Sequence, residues 1–313
     1  MDRLLLMQCF VRAVETGSFS AVARELGTGQ PNVSRNIAAL EQHLATRLLH
    51  RSTRKLTMTV EGERYYAEVR QVLDAIAEAE SNARGEDKPG GVLKVSCPTS
   101  LGRTQLLPWV VKFLELHPEM EIDVQISDRF IDMVEDGVDL AIRIGTLKDS
   151  NLRARRIGAS ERVCVASTAY LQKNPAPTLP SDLAQHNCIA YTLFSAGASW
   201  LFSDGEVAIK GSLKSNTLDG VHQAVIDGLG IGYGPLWMFE DAVRRGDVKL
   251  LLTDFSPQPV PIQIVYSASR LMPRRASVFM DFFAEAFKSQ PSLNEGALQK
   301  LLASDEKGLI FTA

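Results

Sequence analysis

The chain has 313 residues, 45% of them hydrophobic, with 34 Lys and Arg against 37 Asp and Glu for a net charge of −3. That length supports two or three domains with cores of their own. The Leu4-Leu5-Leu6-Met7 run is too short for a signal-peptide core and follows Asp2, and no apolar stretch reaches the roughly 18 residues of a membrane span, so a cytoplasmic protein without a membrane partner is expected.

Leu6, Phe10 and Val14 fall on one face of a first helix. From Ser18 to Leu44 the chain reads as two further helices joined by a tight turn. The first runs from Ser20 to Leu26, with Ala23 small enough for a close crossing and Gly27 as its breaker. The second starts at Pro31, a residue favoured at the first helical position. Val33, Ile37 and Leu40 repeat at helical spacing, which turns Asn32, Ser34, Arg35 and Asn36 elsewhere. Short polar residues with one guanidinium at the start of such a helix can donate to phosphates and read base edges, Arg gripping guanine with two hydrogen bonds. Any helical bundle could show the same spacing, so the pair alone leaves both readings open.

Arg47, Arg51, Arg54 and Lys55 come next, with no acid among them. The alternation of Leu56, Met58 and Val60 with Lys55, Thr57 and Thr59 predicts a basic hairpin, a wing. Residues 1–59 hold eight Lys and Arg against four Asp and Glu, net +4, while the other 254 hold 26 against 33, net −7. Positive charge gathered on the helix pair of an acidic chain is what a phosphate-binding module needs.

From Val60 to Ala83 a long helix is expected, with Thr59 as N-cap and Glu61 and Glu63 well placed against the helix dipole. Tyr65, Val69, Val72, Ile76, Ala79 and Ala83 recur at alternating spacings of four and three, a heptad seam suited to self-association. It would set two recognition helices on two half-sites of a palindrome-like operator. A linker, Glu86 to Gly91, follows.

Strands and helices then alternate to about Lys288: VLKVSC, a helix around Leu106 to Leu116, EIDVQIS, a helix around Phe130 to Glu135, and VDLAIRIG. This predicts an α/β domain with a mainly parallel sheet and a ligand beyond the carboxyl ends of its strands. Thr99 and Ser100 stand at that place, either as anion-binding donors at a helix start or as a simple N-cap. Gly228, Gly230, Gly232 and Gly234 follow a helical segment, so they read as a helix stop feeding a short strand and not as a dinucleotide loop. Cys9, Cys97, Cys164 and Cys188 are widely spaced, which implies neither a zinc site nor a disulfide framework, and three lie in apolar strand-like runs, where a small core hydrophobe outranks a redox sensor. The five His are scattered, and no nucleophile elbow or metal-ligand motif appears, so no enzyme activity, metal or cofactor is expected.

The N-terminal segment resembles the winged helix-turn-helix of LysR-type transcriptional regulators. The resemblance is carried by Phe10 and Val14, Gly17-Ser18-Phe19-Ser20-Ala21, Leu26-Gly27, Gln30-Pro31, Val33-Ser34-Arg35, Ile37, Leu40-Glu41 and Arg51-Ser52-Thr53-Arg54 before Leu56-Thr57. Asn32 stands where the family often has a small residue, a departure that bears on base preference. Further matches are Leu93-Lys94-Val95, Leu107-Pro108, Asp139 to Gly145, Leu152 to Arg155 and Gly228 to Ile231, so the likeness covers about nine tenths of the chain.

That resemblance implies an all-α winged module over 1–59, a linker and dimerisation helix over 60–87, and over 88–290 a two-lobed α/β domain like type 2 periplasmic binding proteins. Lobe I would hold about 88–160 and 266–290 and lobe II about 161–265, with crossovers near Gly158 to Val163 and Gln263 to Tyr266 and an extension over 291–313. The implied partners are a double-stranded DNA operator, a small-molecule effector in the cleft, a second copy or a tetramer of the chain, and RNA polymerase.

Ser20, Gln30, Pro31, Asn32, Ser34, Arg35, Asn36, Arg51, Arg54 and Lys55 are the DNA-binding candidates, and Tyr65, Val69, Val72 and Ile76 the dimerisation candidates. Thr99, Ser100, Arg143 and Asn216 are the effector candidates, although Arg143 could equally pair with Asp128 or Asp139 as structure, the role slightly favoured. The expectation is therefore an effector-controlled, sequence-specific DNA-binding regulator. The alternative is a small-molecule binding or transport-type protein whose N-terminal helices are incidental.

Overall fold

A computed structural model describes residues 2–51, 56–83, 89–129, 133, 136–146, 152–193, 199–268 and 272–304. The chain divides into two compact units, one made mainly of residues 1–89 and the other mainly of 90–131, 139–269 and 275–313.

The first unit opens with α1 (Arg3–Thr16), capped by the Asp2 carboxylate, which accepts from the Leu4 and Leu5 N–H groups; it ends at Gly17, whose φ of 63° glycine tolerates without strain. Ser18 caps α2 (Phe19–Glu25), and α3 (Gln30–Leu44) starts one residue earlier than Pro31. Val33, Ile37 and Leu40 are buried as their spacing requires, in one core with Phe10, Leu48 and Leu49. Fully burying such a side chain contributes about 1.5–3 kcal/mol. The expected hairpin forms from β1 (Leu49–Arg51) and β2 (Leu56–Met58), antiparallel with Arg51 opposite Leu56.

The helix α4 (Val60–Ala83) follows, and Thr59 Oγ1 accepts the Gly62 N–H at 2.9 Å. Only glycine fits at 62, because a Cβ there would lie 2.0 Å from the Leu48 carbonyl oxygen. The heptad seam divides in the structure. Val69 is buried in the unit's own core, and Tyr65 packs against that core with its ring 5.7 Å from that of Phe10. Val69 is thus occupied within its own unit and, contrary to expectation, is not open to a second chain, whereas Tyr65 is only half-buried beside α1. Val72 is exposed and Ile76 half-exposed.

The second unit begins with β3 (Gly91–Cys97), a short helical turn α5 (Thr99–Leu101) and one π-helical turn, Gly102–Leu106. These lead into α6 (Leu107–Leu116), β4 (Met120–Ile126), β5 (Leu140–Ile144) and β6 (Leu152–Ser160). The helix expected around Phe130 to Glu135 falls largely outside the described residues.

After Glu161 the chain enters lobe II through β7 (Arg162–Ser167) and α7 (Thr168–Leu171). It continues through β8 (Ala190–Tyr191), β9 (Ser199–Phe202), β10 (Gly205–Ala208), β11 (Lys214–Ser215) and α8 (Leu218–Ile226), then β12 (Ile231–Pro235), α9 (Leu236–Arg244) and β13 (Val248–Leu251). The chain returns through β14 (Val260–Ser267) to α10 (Arg274–Lys288) and ends its described part with α11 (Ala297–Ala303).

Lobe I holds a five-stranded sheet in the order β4-β3-β5-β14-β6, and lobe II a three-stranded sheet in the order β12-β7-β13. The expected parallel arrangement holds for β3 with β4 and β5, but β14 runs against β5 and β6, and β7 runs against β12 and β13. In each lobe the strand that carries the chain across opposes its neighbours, because it enters from the other end. The return crossing also lies earlier than Gln263 to Tyr266: β14 pairs with lobe I from Val260 opposite Ser160 through Ser267 opposite Leu152. Joining β5 to β6 uses that whole strand.

The C-terminal segment is integral to lobe II. Ala297, Leu298 and Leu301 are buried with Phe239, Val243 and Leu250. Glu161, itself buried at the outgoing crossing, accepts the Gly296 N–H at 2.7 Å and the Leu298 N–H at 2.6 Å, so its carboxylate satisfies the start of α11. Gly308 to Phe311 lie outside the described residues.

Candidate functional site

Two surfaces emerge. On the first unit, Ser20, Gln30, Pro31, Asn32 and Arg35 are exposed and Ser34 is half-buried, all on or beside the start of α3. Asn32 Nδ2 donates to Thr28 Oγ1 at 3.0 Å, and Asn32 Oδ1 accepts from Arg35 at 3.4 Å, so Asn32 and Arg35 are engaged within one turn of the helix on its outward side. Among the described residues Arg35 has no carboxylate partner. Arg12 does: its guanidinium forks onto Glu25 with two bonds of 2.8 Å and also pairs with Glu15, fixing α1 against α2. The hydrogen bond to Glu25 raises the Arg12 pKa, and the same bond lowers that of Glu25.

Asn36 is the exception among the predicted outward residues. It is half-buried and donates to Cys9 Sγ at 3.4 Å, because it lies three residues after Val33 and four before Leu40 and so borders the buried stripe. Arg24 is a further exposed cation on α2, with its Nε 3.4 Å from the Ser20 carbonyl oxygen one helical turn earlier. The Arg51 side chain, Arg54 and Lys55 lie outside the described residues. Glu41 ties α3 to the hairpin by accepting the Leu48 and Leu49 N–H groups at 2.9 and 3.1 Å.

In the second unit, the Thr99 N–H donates to Asp128 Oδ1 at 2.8 Å, so this helix start faces a carboxylate of its own chain. Ser100, only 2% exposed, donates from Oγ to Asp219 Oδ2 at 2.8 Å. Arg103 pairs with the other oxygen of Asp219. The π turn places Arg103 beside Ser100, and Asp219 lies in the first turn of α8, so this triad joins lobe I to lobe II. Burial works to raise the Asp219 pKa, yet the bonds from Ser100 and Arg103 bring it below the ordinary aspartate value.

Arg143 is half-buried at the end of β5 and donates to the Ile142 carbonyl oxygen at 2.9 Å and to Ser96 Oγ at 3.3 Å. The sequence-based preference for a pair with Asp128 or Asp139 is corrected: among the described residues no carboxylate lies within ion-pair distance of it, since Asp128 turns to the Thr99 N–H and Asp139 to the Lys94 N–H. Its pKa is lowered by burial. Asn216 is exposed just ahead of α8, whose N-cap is Thr217.

Asp219 and Arg103 were missed as site residues because each looks like an ordinary helix charge until the lobes meet. Cys97, Cys164 and Cys188 are buried with thiol pKa values raised by desolvation, an environment that suppresses the reactive thiolate. Among the described residues no cluster of three or more His, Cys, Asp or Glu is placed to hold a metal ion, and no helix is long and apolar enough to cross a membrane.

A winged helix-turn-helix joined to a two-lobed α/β domain defines a DNA-binding regulator with a ligand-responsive second domain. The family model described as "Bacterial regulatory helix-turn-helix protein, lysR family" matches residues 4–63, and "LysR substrate binding domain" matches residues 86–288. The chain belongs to the LysR family of transcriptional regulators. It is 32% identical over 298 residues to the probable HTH-type transcriptional regulator LtrA of Klebsiella pneumoniae, covering 93% of this chain and 96% of that one. Among solved structures, CrgA of Neisseria meningitidis is 31% identical with a TM-score of 0.60 over 90% of this chain and 97% of its own. The virulence activator AphB of Vibrio cholerae is 30% identical with a TM-score of 0.56 over 90% and 98%. The match at residues 4–63 sets aside a transport-type protein with incidental N-terminal helices.

Proposed function

We propose that Ser20, Gln30, Pro31, Asn32, Ser34 and Arg35, with Arg51, Arg54 and Lys55 of the wing, contact operator DNA, while Asn36 supports α3 from behind. The observation that carries this reading is the outward start of α3, where the exposed Arg35 has no carboxylate partner among the described residues. A guanidinium so placed can bind a phosphate or a guanine edge. The exposed Val72 and half-exposed Ile76 of α4 contribute to pairing of two copies, which sets the spacing of the half-sites. In the second unit a small anionic effector enters between the lobes, received by Thr99, Ser100 and Arg143 from lobe I and Asn216 from lobe II. It shifts the assembly only through unequal affinity for its states. No reaction belongs to this role, which is exercised in the cytoplasm with RNA polymerase as a further partner.

Mobility shift on the chain's own upstream DNA at two salt concentrations tests the first half. Binding that weakens with salt and with Arg35→Ala is expected; binding indifferent to both would sink it. A thermal-shift screen of metabolites on the full chain tests the second, because a ligand that prefers the folded state raises its melting temperature. A hit whose effect survives Thr99→Val with Ser100→Ala would reject the placement.

A further inference from the structure

We propose that the Asp219 carboxylate occupies the place of a ligand carboxylate between the lobes, and that a small carboxylate acts by exchanging with it at Ser100 and Arg103. This rests on the effector reading above and names both its competitor and its chemistry. A buried serine hydroxyl and a guanidinium, one on each oxygen, are how a protein holds a free carboxylate, and here the guest is a side chain 119 residues away in lobe II.

The exchange leaves nothing stranded. Ser100 and Arg103 stay paired when the incoming carboxylate replaces the outgoing one, so no buried donor loses its partner. Asp219, with its side chain 34% exposed and in the first turn of α8, is received by water and the helix dipole on release. A cation would instead have to displace Arg103 from the same carboxylate. Arg143, without a carboxylate among the described residues, adds a further positive group on the lobe I side. Because the Asp219 contacts join the two lobes, ligand entry and lobe separation become one event, which is the coupling a switch needs.

The test titrates the full-length protein with sodium acetate against sodium chloride of equal ionic strength, and separately with methylammonium chloride, following binding by ligand-observed NMR. Asp219→Asn keeps the size and one acceptor for Ser100 but removes the charge that competes for Arg103; Asp219→Ser serves as a second variant if the first is unstable. The expected result is about tenfold tighter acetate binding in either variant, reversed by adding Arg103→Ala. Equal acetate affinity with and without Asp219, combined with loss of binding in Arg143→Ala, overturns the exchange and leaves the effector cleft standing. Methylammonium binding that disappears with Asp219 overturns it too, by making Asp219 a cation ligand. No saturable acetate response in any of the proteins overturns both the exchange and the anionic class of effector.

Discussion

Arg35 on α3 and Arg103 after α5 are both exposed guanidiniums, yet among the described residues only Arg103 meets a carboxylate, that of Asp219. The surrounding residues repeat the contrast. On the outward face around Arg35 each polar contact spans only one helical turn, from Arg35 to Asn32 and from Asn32 to Thr28. Around Arg103 the hydroxyl of Ser100 and the N–H of Thr99 are taken by acids 119 and 29 residues away. The difference teaches where each unit is incomplete: the face of α3 awaits an outside anion, whereas the junction between the lobes has already filled its donors from within.

If that contrast is right, substitutions in the packed core of the second unit are read out as stability and substitutions on the outward face of α3 as operator affinity. The largest effect is expected from Leu298→Ala, which removes a side chain 2% exposed in the lobe II core. A loss of about 2–5 kcal/mol is the usual cost, measurable as a lower denaturation midpoint, and a change below about 0.5 kcal/mol would mean that α11 is not part of that core. Arg35→Ala should leave the denaturation midpoint unchanged and weaken operator binding by about 1–3 kcal/mol, checked by mobility shift. If it instead lowered the midpoint, the contrast would break at its first term.

Asn36→Ala, adjoining the same helix face, should behave in the opposite way, costing about 0.5–1.5 kcal/mol of stability for its contact with Cys9 while operator preference stays constant. A changed base preference would return Asn36 to the DNA face. The smallest effect belongs to Arg156→Ala. Its pairing with Glu295 joins side chains 53% and 63% exposed, and such surface pairs are worth about 0–1 kcal/mol.

The same contrast explains what could be read from the chain alone. The helices of the first unit were legible because the 3.6-residue period decides which side chains turn inward, and Val33, Ile37 and Leu40 obey it. Asn36 misled because period alone does not say how wide the buried stripe is. Val69 misled for a related reason: a heptad spacing marks an apolar seam without saying whether the domain's own core or another chain covers it.

In the second unit Thr99 and Ser100 were found from their position after a strand, but their acceptors were not. Asp128 and Asp219 become their partners only when β4 and α8 arrive, and no local pattern announces that. The direction of β7 and β14 was illegible in the same way, since hydrophobic patterning records burial and leaves strand sense to the chain's path between lobes.

Glu161 sits where the chain leaves lobe I, and its carboxylate holds the first turn of α11, which fills lobe II. The packed part of this domain therefore continues past the close of α10 at Lys288, through α11. A fragment trimmed after α10 would present a bare apolar floor where Leu298 and Leu301 belong and a buried acid with two lost donors. Anyone producing this domain in isolation should keep the segment that carries α11.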